Sequence, residues 1–105
     1  MEITPEKIVE IASYFTVVSH VPGRLRVRVN PKIKDEAKDI TIEDIETISQ
    51  KISGIKKIKI NKVIASVTIE YEHSVFEKRL WDDLISGENL EEVVAVIEKL
   101  KKEVS

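Results

Sequence analysis

The stretch His20-Val21-Pro22-Gly23-Arg24-Leu25-Arg26-Val27-Arg28-Val29 decides how the rest of the chain is interpreted. Within it, branched aliphatic residues alternate with Arg24, Arg26 and Arg28, which is the period-two pattern of a half-buried β-strand. Pro22 and Gly23 favour a sharp turn where this strand begins. The pattern predicts a strand with one aliphatic face toward the core and one face that carries three of the chain's four arginines.

Length, charge and cysteine content exclude several classes of protein. The chain has 105 residues, of which 42% are hydrophobic and 34% charged, so we expect one small domain, 1–105, with its own core. The absence of cysteine excludes disulfides, thiolate metal sites and cysteine nucleophiles. Because the net charge is -2, wholesale binding to nucleic acid or acidic membranes is not expected, and any electrostatic site must be a local patch.

Hydropathy predicts neither a membrane span nor a signal peptide. No stretch approaches the roughly 20 consecutive apolar residues that a transmembrane helix needs. The N-terminus also lacks the apolar run of a secretory signal. We therefore expect a cytoplasmic protein, and the abundance of Ile, Lys and Glu suggests a thermophilic source.

Capping residues and hydrophobic periodicity predict the other elements. Thr4 and Pro5 begin a helix over 5–14, residues 16–19 are extended, and 32–39 form a solvated loop. Three later helix starts carry capping signals, and two alternating segments predict a hairpin. The predicted helices run from Thr41 to about Gly54, after Ser74 with Glu77 as its capping pair, and over 90–104 after Asn89 with Glu92 as its capping pair. The predicted hairpin strands are 57–60 and 67–71.

The order of these elements predicts an α+β fold. Residues 24–86 are β-α-β-β-α, which is most of a ferredoxin-like antiparallel sheet whose third strand lies between the first two. The core is expected over 17–86, with additional N-terminal and C-terminal helices. No clear fourth strand is visible because the last segment is helical, so the arginine strand is expected at a sheet edge. The last helix has a stripe that either docks on the core or forms a dimer seam: Val93, Ile97, Leu100 and Val104.

Two parts of the chain carry a family resemblance, namely 17–29, and 54–61 followed by 66–71. They resemble the cysteine-free heavy-metal-associated (HMA-like) domains, which occur alone or at the N-terminus of some heavy-metal P-type ATPases. The resemblance implies a ferredoxin-like, non-enzymatic accessory or interaction module linked to metal transport or storage. Its partner would be another protein, such as a membrane transporter, or a second copy of the chain. Soft-metal HMA domains use two cysteines between the first strand and helix, where this chain has residues 32–40, so no metal ligand carries over.

The predicted outward face with Arg24, Arg26 and Arg28 is the leading candidate for a binding surface. Thr68 and Glu70 of the neighbouring strand are expected beside it, so one interpretation is a solvated face with cross-strand Arg–Glu pairs. The other is a face for an anionic partner, because guanidinium groups match carboxylate and phosphate in bidentate geometry. Single-stranded nucleic acid is an alternative ligand, but no aromatic residue stands among the outward positions, and this disfavours nucleic acid.

The connection between the two hairpin strands forms a second candidate. It carries Val63, Ile64 and Ala65 where turns usually have Gly, Asn or Asp. Contiguous exposed apolar side chains commonly mark an interaction site. We therefore expect Val63 and Ile64 to be exposed and to contact a protein partner, a second subunit or a membrane surface.

His20 and His73 are the remaining candidates. His20 precedes the arginine strand and His73 follows the third strand, which is the same end of an antiparallel pair. A metal or haem site through them, completed by Glu72, is the alternative that this placement leaves open. Since metal sites usually need three or four convergent ligands, we expect no tightly held cofactor. The chain has no phosphate loop, nucleophile elbow or Ser/His/Asp spacing, so we do not expect an enzyme.

Overall fold

The computed structural model describes residues 4–37 and 39–101, and over them the chain forms four strands and five helices. The strands are β1 (Phe15–Val21), β2 (Arg24–Val29), β3 (Ile55–Asn61) and β4 (Ser66–Tyr71). The helices are α1 (Pro5–Ala12), α2 (Ile33–Glu36), α3 (Ile42–Lys51), α4 (Lys78–Ser86) and α5 (Leu90–Leu100). Of these helices, none has the length and apolar character needed to cross a membrane.

The sheet is antiparallel, with the strand order β1-β2-β4-β3. This confirms the predicted α+β class and the ferredoxin-like sheet, in which β4 lies between β2 and β3. The prediction that a fourth strand is missing is wrong, because β1 pairs along the outer side of β2. The arginine strand β2 is therefore an inner strand and not an edge. Pro22 and Gly23, the latter at φ +92°, turn the chain so that β1 and β2 form a hairpin.

β1 escapes a pattern search because its side chains do not alternate between core and solvent. The register with β2 shifts between Val17 and Ser19, which is the irregularity that a β-bulge produces. Most of the side chains of β1 are exposed, including Val17, Val18 and Val21. What makes this segment a strand is its ladder with β2, which no local periodicity reports.

The core lies between the helices and one face of the sheet. Leu25 and Val27 of β2 are both 0% exposed and belong to this core, as the alternating pattern predicts. Phe76 and Trp81 stack with ring centroids 4.3 Å apart in the same cluster. The opposite face of β2 is left open, and this position determines the candidate site described below.

Helix α5 docks on this core within its own chain. Val93 and Ile97 are buried at 0% and 1% exposure. The helix ends at Leu100, and Lys101 forms an isolated antiparallel bridge with Ile52. The predicted range to 104 extends beyond the described residues, and so does Val104. At the other end of the chain, α1 ends at Ala12, two residues before the predicted end.

Two of the predicted helix caps are confirmed. Thr4 accepts a hydrogen bond from the backbone N–H of Lys7 at 3.1 Å. At the start of α3, the Thr41 hydroxyl accepts from the N–H of Asp44 at 3.1 Å, and the Asp44 carboxylate accepts from the N–H of Thr41 at 2.9 Å. This reciprocal pair is a capping box, which satisfies two backbone donors that the helix itself leaves free.

Two other capping predictions are wrong. Ser74 and Glu77 do not form the predicted capping box, and helix α4 begins at Lys78 without a side-chain cap. The backbone N–H of the buried Phe76 donates to the carbonyl of Glu72, so Ser74 lies in a turn that precedes the helix. Asn89 precedes α5 at φ +49° and makes no capping hydrogen bond with its side chain. The predicted solvated loop over 32–39 also contains the short helix α2 and the buried Ala37.

Candidate functional site

The open sheet face is formed by outward residues of β2, β4 and β3 that lie directly opposite one another. The strand register aligns them in three rows: Arg24, Glu70 and Lys57; Arg26, Thr68 and Lys59; Arg28, Ser66 and Asn61. Residues opposite in an antiparallel pair point to the same face, so each row forms a line of neighbouring side chains. Val21 of β1 continues the first row beside Arg24.

These rows place five cationic side chains around one carboxylate. All three arginines are exposed, as are Lys57 and Lys59. None of the five forms an ion pair with another residue in the part of the chain that the structure describes. Glu70 lies opposite both Arg24 and Lys57 without closing a bridge to either. The predicted cross-strand Arg–Glu pairs are therefore absent from these residues, and the face keeps a local positive charge.

An open depression crosses this face at its middle row. It is lined by cationic and hydrogen-bonding groups: Arg26, Lys59, Asn61, Lys62, Ser66 and Thr68, together with Ile60. Guanidinium and ammonium groups donate hydrogen bonds only, and the hydroxyl of Thr68 can also donate. The depression can therefore hold carboxylate or phosphate oxygens by charge-assisted hydrogen bonds.

The hairpin tip, residues 63–65, projects between β3 and β4. Val63 is 93% exposed and Ile64 is 45% exposed, so the predicted exposure is observed. Asn61 shapes the turn, because its side-chain oxygen accepts from the backbone N–H groups of Val63 at 3.0 Å and Ile64 at 3.3 Å. Ala65 closes the turn at φ +52°, a conformation that glycine adopts with less strain.

His20 lies in β1 on the covered side of the sheet and not in a loop. Its side chain is 4% exposed. Nδ1 is 2.8 Å from a carboxylate oxygen of Asp82 in α4, and Nε2 is 2.8 Å from the hydroxyl of Tyr71 in β4. Because a carboxylate only accepts, the Nδ1–H of His20 donates to Asp82, and the hydrogen bond at Nε2 joins the ring to the Tyr71 hydroxyl. We call this the His20 network; it ties β1 to α4 and β4.

The network perturbs both of the groups that flank the imidazole. Desolvation acts to raise the pKa of Asp82, but hydrogen bonds from His20 and from Lys78 outweigh it, so that the pKa lies below its ordinary value of 3.8. Burial raises the pKa of Tyr71 above its ordinary value of 10.0. At neutral pH the network therefore contains an ionised carboxylate and a neutral phenol, and neither His20 nitrogen is free to bind a ligand.

His73 lies in the exposed turn after β4. Nearby, Glu72 forms an ion pair with Lys56 at 3.2 Å, and this hydrogen-bonded contact lowers the pKa of the Glu72 carboxyl. Across residues 4–37 and 39–101, no group of three or more His, Cys, Asp or Glu side chains is placed to hold a metal ion. The structure thus does not join His20, His73 and Glu72 into such a group.

Sequence reasoning placed the arginines and the hairpin tip correctly on the surface but missed the His20 network. His20 and Asp82 are separated by 62 positions, and His20 and Tyr71 by 51. A histidine that follows four aliphatic or hydroxyl residues in β1 carries no local signal of a partner. Only the pairing of β1 with β2 brings the imidazole over α4.

Comparison with known proteins supports the resemblance seen in the sequence. Neither a curated protein nor a solved structure matches the chain. The family model described as heavy metal associated domain 2 matches residues 6–104, which is nearly the whole chain. The cysteine-free sequence of this chain and its antiparallel α+β sheet agree with that match. The chain belongs to the heavy metal associated domain 2 family.

Proposed function

We propose that this protein is a non-enzymatic accessory module that binds an acidic surface of a protein partner through the open sheet face. The observation that carries the proposal is the cluster of Arg24, Arg26, Arg28, Lys57 and Lys59, which the described residues leave without an ion pair. The arginines of β2 and the lysines of β3 lie on the same face on either side of β4, and like charges on one face repel one another. A carboxylate-bearing partner would remove this repulsion and gain bidentate hydrogen bonds.

The hairpin tip supplies an apolar contact beside this charged face. Val63 and Ile64 are apolar side chains that are exposed to solvent. Lys62 and Ser66, next to the tip, also line the depression on the open sheet face, so the tip and the charged face adjoin. Charged contacts on a rim mainly orient a partner and speed its association, whereas a desolvated apolar anchor contributes affinity. We propose that the tip inserts into the same partner that the arginines attract.

Family membership supports a role in metal homeostasis. We propose that the partner belongs to a metal transport or storage system, such as the soluble part of a membrane transporter, and that the module works in the cytoplasm. Self-association through the tip is the competing outcome. We do not propose catalysis, because His20, the buried imidazole beside a carboxylate, has Nε2 occupied by Tyr71. The same two hydrogen bonds would have to break before His20 could bind metal or haem.

A three-variant binding experiment tests the proposal. Native lysate of the source organism is passed over immobilised wild type, over the triple variant Arg24→Gln/Arg26→Gln/Arg28→Gln, and over Arg79→Gln as a control. Arg79 is a suitable control because it lies on α4 and is paired with Asp83 and Glu92. We expect the wild type and the control to capture the same acidic protein, and the triple variant to lose it. Equal capture by all three would refute a role for the arginines.

Defined polyanions separate the proposed partner from nucleic acid. Oligoglutamate and oligothymidylate of matched charge are titrated into the wild type at several salt concentrations. If both polyanions bind with the same salt dependence, the open sheet face attracts negative charge without distinguishing the two ligands. The choice between protein and nucleic acid would then depend on which molecule the lysate capture identifies. Tighter binding of oligothymidylate, with release of protein partners on nuclease treatment, would favour single-stranded nucleic acid.

A further inference from the structure

An apolar groove lies at the end of the sheet where the β2–α3 connection meets the β3–β4 turn. Its volume is about 340 Å³, which falls within the roughly 300–1,000 Å³ usual for small-molecule sites. Residues from 29–34 and 40–45 line one side, and 60–62 and 65–67 line the other. None of the three arginines lines the groove, although Asn61, Lys62 and Ser66 border both the groove and the depression on the open sheet face.

The lining of the groove is mainly aliphatic. Ile33, Ile40, Ile42 and Ile60 all contribute to it, and each of them is only half-buried. Ile33 and Ile40 flank a connection that otherwise consists mostly of lysine and acidic residues. Half-exposed aliphatic side chains that converge on one concavity gain free energy when an apolar ligand removes their remaining surface from water.

The polar groups at the groove offer mainly positive charge. Lys34 and Lys62 line it, and neither forms an ion pair within the described residues. The polar oxygens beside them are already used: Asn61 accepts from the tip backbone, Asn30 accepts from the N–H of Lys32 at 3.0 Å, and Thr41 caps α3. Among residues 4–37 and 39–101, no acidic side chain lines the groove. A ligand therefore meets aliphatic walls and two unpaired ammonium groups.

We propose that this groove binds a small amphipathic carboxylate. Its alkyl or aryl body packs against Ile33, Ile40, Ile42 and Ile60, and its carboxylate is held by Lys34 and Lys62. A second copy of the chain is a poorer occupant, because a symmetric contact at this end would bring the lysines of both copies together without an acidic partner in the groove. A neutral apolar molecule would leave both ammonium groups unused.

The test compares decanoate with decanol, which has the same alkyl chain but no charge. Calorimetric titration of the full chain, below the micelle concentration, should show decanoate binding at one site and decanol binding at least about tenfold more weakly, as expected when charge-assisted contacts are lost. Amide chemical shifts in NMR spectra should change in 29–34, 40–45 and 60–67. Equal affinity for the two ligands would overturn the proposal, and so would shift changes confined to residues 24–28 and 57–59, which do not line the groove.

Paired lysine variants complete the test. Lys34→Gln/Lys62→Gln should weaken decanoate binding about tenfold or more and leave decanol binding unchanged. Lys51→Gln/Lys99→Gln removes the same charge from α3 and α5, outside the groove and outside the open sheet face, and should leave decanoate binding within about twofold of wild type. Equal losses in both double variants would show general charge attraction and overturn the assignment. Binding of an acidic peptide, but not of decanoate, at these lysines would overturn it in favour of a peptide site.

Discussion

On the helical side of the sheet, Arg79 of α4 forms ion pairs with Asp83 at 3.3 Å and with Glu92 at 2.7 Å. On the open sheet face, Arg24, Arg26 and Arg28 form no ion pair with any described residue. Arginine is thus neutralised by acidic residues of its own chain on the helical side of the protein. On the open sheet face the arginines are available to solvent or to a partner.

The difference follows from how each element spaces its residues. On a helix, residues four apart are neighbours, so α4 brings Lys78 to Asp82 and Arg79 to Asp83 without help from other elements. On the sheet, the neighbours of an arginine are set by the register, and here the rows contain two lysines and only Glu70 as an acid. The comparison shows that local spacing supplies ion pairs on the helices, whereas the tertiary pairing of strands concentrates one sign of charge on the open sheet face.

The largest expected effect separates the two faces of β2. Leu25→Ala should lower the free energy of unfolding by about 2–5 kcal/mol, because Leu25 is 0% exposed and its truncation leaves a cavity. Arg26→Ala, the next residue on the opposite face, should cost less than about 0.5 kcal/mol. Urea denaturation of both variants measures the difference. Similar losses in the two variants would contradict the assignment of one buried and one open face.

The next effect concerns the way β1 is held against α4. His20→Ala should lower the free energy of unfolding by about 1–3 kcal/mol, because Tyr71 and Asp82 each lose a hydrogen-bond partner at a site that is 4% exposed. His73→Ala is the matched control, since His73 is exposed, and should change stability by less than about 0.5 kcal/mol. Equal effects of the two substitutions would contradict the His20 network.

Acid should reveal the same network. The pKa of Asp82 is lowered in the folded state, so the ionised carboxylate contributes stability that is present above its ordinary pKa of 3.8 and is lost as the pH falls toward the lower folded value. Wild type should therefore lose stability below pH 3.8 more steeply than His20→Ala, in which the hydrogen bond from the imidazole is gone. Denaturant midpoints across this acidic range measure the slopes. Parallel slopes would show that His20 does not lower the pKa of Asp82.

A smaller effect tests whether the open sheet face repels itself. Replacing Arg24, Arg26 and Arg28 with glutamine should change the free energy of unfolding by less than about 1 kcal/mol, because exposed charges contribute little. Added salt should stabilise the wild type more than the triple variant, since salt screens repulsion between the five cations. Thermal melts at low and high salt measure this, with Arg79→Gln as the control. A steeper salt dependence in the triple variant would contradict the repulsion.

The smallest effect on stability is expected at the hairpin tip. Val63→Ser/Ile64→Ser should change the free energy of unfolding by less than about 0.5 kcal/mol, because Val63 is 93% exposed. The same variant should lose affinity for a partner captured by the open sheet face, since the proposed apolar anchor is gone. Thermal melts and the capture experiment measure the two properties. A large loss of stability with unchanged capture would show that the tip serves the fold alone.

Much of the fold is determined by local sequence patterns. The alternation in β2 identified both its buried and its exposed residues, and Thr4 and Thr41 marked helix starts that the structure confirms. These signals depend on neighbours within a few positions, which is the range over which side-chain periodicity and capping operate. The surface placement of the arginines and of Val63 follows from the same local patterns.

Other features were decided only when distant segments met. The irregular sequence of β1 becomes a strand through its ladder with β2, and this pairing converts the predicted edge strand into an inner one. It also places His20 on Asp82, 62 positions away. The apolar groove likewise needs Ile33 and Ile40 to meet Ile60 across the end of the sheet. Local patterns specify which face of an element is buried, but the contacts between elements depend on strand register and helix packing, which no short stretch of sequence contains.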